Sequence, residues 1–172
     1  MNYHKILVIG CCGSGKSTLA RKLEYKTGLP LIHLDREYYR ANWEKPTKDE
    51  WNEKVLNLCQ NERFIMDGNY ISSLKNRLDY ADMIIWIDVN RITCLKRAII
   101  RVLTPSKRQR TDMGSGCVER HDLSFYKFIW NFNKTIKPQI IKILENHKDM
   151  KVVVLRSKRS IRKFISTYNQ MR

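Results

Sequence analysis

Long apolar runs are missing from this sequence: no stretch approaches the roughly 20 residues needed to cross a bilayer, so no membrane partner is expected. The apolar run near the N-terminus, Ile6 to Ile9, is too short for the core of a secretion signal, and glycine follows it at once. A cytoplasmic location is therefore the expectation. Paired cysteines at metal-binding spacing are missing as well. Cys11, Cys12, Cys59, Cys94 and Cys117 are odd in number and scattered, with no C-x-x-C. That pattern reads as reduced thiols, with neither a disulfide framework nor a zinc site. Internal repeats, low-complexity tracts and helix-turn-helix or other DNA-reading modules are also lacking.

Acidic residues are scarce in the second half. Residues 1–90 hold 13 Lys/Arg against 12 Asp/Glu, and residues 91–172 hold 20 against 5, so nets of +1 and +15 make up the total of +16. A surplus that lopsided suits polyanionic partners, whether nucleotide phosphates, nucleic acid or an anionic surface, or else a solvated basic face.

What is present is an alternation. With 172 residues the chain has room for one domain, 1–172, with a sizeable core. Tyr3 to Ile9 reads as a buried strand and Lys16 to Thr27 as a helix, closed by Gly28 with Pro30 two residues on. A second short strand runs from Leu31 to Leu34 and ends at Asp35. Thr47 and Glu50 form a capping box for a helix to about Asn61. Phe64 to Met66 is a third strand, Ile71 to Leu78 a short helix, and Met83 to Val89 a fourth, apolar strand interrupted by Asp88. Ile92 to Leu103 is a basic helix stopped by Pro105. Residues 106–121 are a loop, and Asp122 opens a long helix to about His147 that Pro138 kinks or restarts. Val152 to Leu155 is a fifth strand, and Ser157 or Ser160 starts a terminal helix. Strands alternating with helices, the strands nearly continuous in apolar residues, predict an α/β fold: a parallel sheet of five strands covered on both faces.

The segment Gly10-Cys11-Cys12-Gly13-Ser14-Gly15-Lys16-Ser17 satisfies G-x-x-x-x-G-K-S, between an apolar strand and a helical pattern. Each part has a physical reason. Glycines let the backbone turn so that its N–H groups face inward. The following helix points its positive end at the same spot. Lys16 reaches the β- and γ-phosphates, and the Ser17 hydroxyl ligates Mg²⁺. Cys11 and Cys12 are small residues that the turn tolerates; the alternative is a low-pKa thiol at a helix start, whose modification would block phosphate binding.

Carboxylates at strand ends are the other candidates, because ligands of open α/β sheets bind outside the carboxyl ends of strands. Asp35 there can accept a proton from an attacking hydroxyl, or serve only as a helix cap or a partner for Arg36. Asp67 ends the third strand and is a better water-bridged Mg²⁺ partner than Asp88, because Gly68 lets the backbone approach a ligand. Arg97 and Arg101 share a helix face. With Arg108, Arg110 and Arg120 they suit a lid over a triphosphate, or a nucleic-acid backbone. Phe125, Phe128 and Phe132 fall at helical spacing and read as core, with Trp130 close by.

The P-loop followed by STLARKL, then TGLPLIHLD, IMDGNY, RLDYADMIIWIDV, CLKRAIIR and TDMGSGCVERHDLSFYKFIWNF, resembles the DNA topology modulation proteins of the FlaR type over nearly the whole chain. More widely it resembles adenylate kinase and the small nucleoside and metabolite kinases. That resemblance implies a three-layer P-loop NTPase fold with strand order 2-3-1-4-5, an acceptor-binding insertion at about 36–62 and a lid at about 104–121. It places Gly15, Lys16, Ser17 and Thr18 at the phosphates and magnesium. It also places Arg97 and Arg101 on the helix entering the lid, Arg110 with Asp112 in the lid, and Ser157 near the adenine. The cysteine quartet of zinc-bearing lids is missing, and residues 36–62 show no AMP-binding pattern. The expected activity is Mg·ATP-dependent phosphoryl transfer to a small acceptor, by a monomer or homodimer. An ATP-dependent, nucleic-acid-associated regulator of DNA topology and a simple NTPase stand as alternatives.

Overall fold

A computed structural model describes residues 3–104, 112–113 and 122–168. Its frame is a five-stranded parallel sheet in the order β2-β3-β1-β4-β5, formed by β1 (Lys5–Gly10), β2 (Leu31–His33), β3 (Phe64–Asp67), β4 (Met83–Ile87) and β5 (Lys151–Leu155). This is the expected order. The strands are apolar on both sides because both faces are covered. Along β1, Ile6 and Val8 face one layer and Leu7 and Ile9 the other, and all four are fully buried. Each such side chain contributes about 1.5–3 kcal/mol of transfer free energy.

One layer consists of α1 (Lys16–Thr27) and α8 (Lys158–Thr167), which meet over Leu19, Leu23 and Phe164. The other layer holds α3 (Lys48–Cys59), α4 (Ile71–Leu78), α5 (Arg91–Leu103), α6 (Leu123–Thr135) and α7 (Lys137–Glu145). Local signals set their ends. Thr47 Oγ accepts from Glu50 N while Glu50 Oε2 accepts from Thr47 N, which closes the capping box of α3. Gly28 closes α1 at φ 68°. Asp88, near the end of β4 in sequence, is committed to Lys137 Nζ at 2.8 Å, an ion pair that ties α7 to the sheet.

One expectation, the restart at Pro138, is met, and another changes in detail. The long helix after Asp122 is two helices that break at Ile136, with Pro138 in the first turn of the second. Proline has no N–H to donate and crowds the carbonyl four residues back, so the helix restarts there. The second strand stops at His33, and Leu34 opens a five-residue helix, α2 (Leu34–Tyr38), followed by a short 3-10 turn at Ala41–Trp43. Asp35 therefore sits in the first turn of α2 and not at a strand end. The lid expected at 104–121 falls mostly outside the described residues.

Candidate active site

The loop between β1 and α1 forms a concave nest. Ser14 N donates to Cys11 O at 3.0 Å, and Gly15 takes φ 104° at the start of α1 with no side-chain cap. The first-turn N–H groups of α1 thus meet no capping side chain and point, with the positive end of the helix, into the concavity. Glycine at position 13 is required by crowding: a Cβ there would lie 2.3 Å from the backbone oxygen of Cys94 in α5. The loop is clamped from above as well, since Arg97 Nη1 donates to Ser14 O at 3.1 Å and to Gly13 O at 3.4 Å.

The nest opens into a cavity of about 720 Å³. Cys12, Gly13, Ser14, Gly15, Lys16, Ser17 and Thr18 form its floor, and Asp35, Arg97, Arg101 and Asp112 stand around it. On the far side α8 supplies Lys158, Ile161, Arg162 and Ile165. Lys16 Nζ rests 3.2 Å from Cys11 O. Burial pulls its ammonium down, but Cys12, Asp67, Asp35 and Cys11 together outweigh that and hold it above its ordinary value. Lys16 therefore stays cationic where an anion would lie.

Strand register places His33 directly beside Asp67, with His33 Nδ1 2.9 Å from Asp67 Oδ2. Both are nearly buried, and Asp67 Oδ1 has no hydrogen-bond partner among the described residues. A buried carboxylate oxygen left over beside a cationic phosphate grip fits a hydrated Mg²⁺. Ser17, on the cavity floor, and Asp67 are the residues that would hold that ion.

Sequence reasoning missed the connector after β3. Asn69 grips both polar groups of Gly10: Gly10 N donates to Asn69 Oδ1 at 2.8 Å, and Asn69 Nδ2 donates to Gly10 O at 2.7 Å. Its amide extends the β1–β3 ladder one rung beyond Val8 and Asp67, where Gly68 N already bonds Val8 O. Tyr70 Oη donates to Asp35 Oδ1 at 2.8 Å. Burial, with the charge and hydrogen bond of Asp35, pushes the Tyr70 phenol up, so it remains a donor. Fully buried Arg77 binds the carbonyls of Gly68, Asn69 and Tyr70, and burial lowers its guanidinium to about 10. One buried guanidinium thus holds a loop that touches the phosphate nest through Asn69 and the cavity carboxylate through Tyr70. The IMDGNY segment marked this place. The signal for the connector was an amide after Asp-Gly, followed by an arginine on the apolar face of α4.

Of the other expected residues, Cys11 turns its side chain into the core, toward Ile129 O at 4.0 Å. Its hydrogen bond with Cys94, and then burial, push the thiol well up, which overturns the low-pKa alternative for Cys11. Ser157 caps α8, its Oγ accepting from Ser160 N at 3.1 Å, and its neighbour Lys158 borders the cavity. Arg110 lies outside the described residues.

No protein-family model matches the sequence, and no curated protein matches it. Solved structures do. The chain is similar to a shikimate kinase from Acinetobacter baumannii in complex with shikimate, with TM-score 0.66, 15% identity, and 98% of this chain and 92% of that one covered. It is also similar to a shikimate kinase from Bacteroides thetaiotaomicron (TM-score 0.55, 14% identity, covering 99% and 98%). A third match is a putative kinase from Chloroflexus aurantiacus (TM-score 0.54, 12% identity, covering 96% of each). The fold is the three-layer P-loop NTPase fold that these structures share. At these identities the likeness carries the fold and not the substrate.

Proposed function

We propose that this protein is an Mg·ATP-dependent phosphotransferase acting on a hydroxyl group of a small acceptor. One observation carries the reading: a cavity joins a phosphate nest at Gly10–Ser17 to a carboxylate, Asp35, that a tyrosine holds in place. In this reading the loop N–H groups and Lys16 hold the β- and γ-phosphates, and Ser17 and Asp67 would hold an Mg²⁺ that would supply charge neutralisation there. Asp35 orients the acceptor hydroxyl and takes up its proton. Arg97 and Arg101 stabilise the charge that develops on the transferring group, with Arg110 expected to join them from the lid at 104–121. Thr18 borders the phosphates. The adenine lies toward Ser157 and the α8 face of Ile161 and Ile165. The segment 36–62 is the acceptor-binding insertion.

Part of the basic surplus of the second half is thereby accounted for within the cavity, by Arg97, Arg101, Lys158 and Arg162. The rest supports the reading as a nucleic-acid-associated regulator of the FlaR type. A DNA affinity that falls steeply with salt is that reading's requirement.

The test is incubation of the full chain with Mg·ATP and a panel of nucleosides, nucleotides, shikimate and aliphatic polyols, followed by product mass. Lys16→Ala is expected to abolish ATP binding while the fold survives. Unchanged binding in that variant would show that the grip is misassigned.

A further inference from the structure

The cavity carries more positive charge than its phosphate nest uses. Lys16 and Arg97 belong to the nest, with Arg101 one turn beyond Arg97. At the far end, on the α8 side, Lys22, Lys158 and Arg162 border the same cavity, with the half-buried Ile161 and Ile165 among them. Helical spacing puts Lys158, Ile161, Arg162 and Ile165 on one face of α8. Lys26, one turn on from Lys22, donates from Nζ to Ile165 O at 2.5 Å, so the α1 face that carries Lys22 meets that face of α8. Lys22, Lys158 and Arg162 are exposed, and none of them hydrogen-bonds or ion-pairs with a described residue. Among the described residues, the carboxylates that border the cavity are Asp35 and Asp112.

This placement is unfavourable without a ligand. Lys158 and Arg162 are four residues apart, and like charges at that spacing on a helix repel. Lys158 also stands in the first turn of α8, at the positive end of the helix, where no acidic residue offsets it. The isoleucine strip between these cations suits a nucleobase, but the base and ribose of ATP are uncharged, so ATP leaves all three cations unmatched. We infer that this end of the cavity is a second anion subsite, and that it takes a phosphate borne by the ribose of the nucleotide whose 5′ chain lies in the nest. The ligand chemistry is a nucleoside 5′-polyphosphate with a further phosphate on its 2′ or 3′ oxygen, either free or as one link of a polynucleotide. Arg159 and Lys163, exposed on the adjoining side of α8, continue the row of cations outside the cavity. The inference rests on the nucleotide-binding part of the phosphotransferase reading. It concerns binding alone: the added phosphate oxygens accept from Lys22 Nζ, Lys158 Nζ and the Arg162 guanidinium.

The experiment has two arms. In the first, the full chain is titrated by calorimetry with ADP and with adenosine 3′-phosphate 5′-diphosphate, at one fixed salt concentration near the physiological. The second compound is expected to bind on the order of ten-fold more tightly, the scale of one charge-assisted contact. Lys158→Gln/Arg162→Gln is expected to bring the ratio of the two affinities to about one. Lys142→Gln/Lys148→Gln removes the same charge from exposed positions away from the cavity and is expected to keep the ratio. Equal affinity of the parent for both compounds overturns the subsite and leaves the nest standing, whereas no binding of ADP overturns both. A ratio that survives in Lys158→Gln/Arg162→Gln, or that falls as far in Lys142→Gln/Lys148→Gln, also overturns the subsite, because net charge then explains the preference. The second arm separates the two sources by replacing the mononucleotide with a 5′-diphosphorylated oligoadenylate. Still tighter binding, weakened in Arg159→Gln/Lys163→Gln, assigns the subsite to a polynucleotide. Affinity no better than that of the mononucleotide assigns it to a free nucleotide.

Discussion

Replacing Asn69 by alanine removes both hydrogen bonds that hold Gly10, at 2.8 and 2.7 Å. Gly10 is buried, the last residue of β1, and its other neighbour across the sheet is Ile87 of β4. An alanine methyl can replace neither bond. Each bond contributes about 1 kcal/mol net where water substitutes, and about 1–3 kcal/mol where a buried group is left unpaired. Asn69 is itself only partly buried, so water reaches one side of the gap. The expected loss is then about 2–4 kcal/mol. For a chain of this size that corresponds to a fall in Tm of roughly 5–12 °C. The same substitution frees the first residue of the phosphate nest, so Mg·ATP affinity should fall by about ten-fold or more, each ten-fold being about 1.4 kcal/mol. Thermal unfolding followed by circular dichroism, and titration calorimetry with Mg·ATP, measure the two effects. A variant with the parent Tm and the parent affinity would refute the idea that the connector after β3 shapes the nest.

Glycines separate in the same way. Gly13→Ala places a methyl 2.3 Å from the Cys94 oxygen at φ 79° and should cost about 2–5 kcal/mol together with nucleotide binding, whereas Gly28→Ala, at φ 68° with nothing within 4 Å, should cost about 1–2 kcal/mol and leave binding intact; equal losses in denaturant titration would contradict the crowding argument. The Glu50 carboxyl is held below the usual carboxylate range first by the Thr47 backbone N–H, then by the Thr47 side chain and Arg40. Its contribution is therefore present above the unfolded value and lost as pH falls through the folded one. The stability gap between the parent and Glu50→Ala should be open near pH 6 and narrow toward about pH 3, and a gap that widens on acidification would reverse the sign assigned here. Cys12 borders the cavity, whereas the Cys11 thiol is buried and pushed up. Iodoacetamide should label Cys12 faster than Cys11, with Mg·ATP slowing Cys12, and equal rates in peptide mapping would count against the cavity assignment.

The sequence alone determined the parts of this protein whose physics is local. The nest is legible because glycine spacing, a lysine and a hydroxyl residue between a strand and a helix leave few other conformations. The capping box at Thr47 and Glu50 and the stop at Gly28 are equally short-range, and the apolar strands separated by helical patterns required a covered parallel sheet. What tertiary structure decided are contacts between residues distant along the chain. Asn69 reaches Gly10 across 59 positions, and Tyr70 reaches Asp35 across 35. His33 meets Asp67 only because β2 and β3 pair in that register. The α8 side of the cavity likewise has no spacing to betray it, since Lys158, Ile161, Arg162 and Ile165 meet the nest only through the fold. Local backbone preference is written in neighbouring residues, whereas the direction in which a buried amide, phenol or guanidinium points is set by whichever unpaired group the packed chain places within its reach.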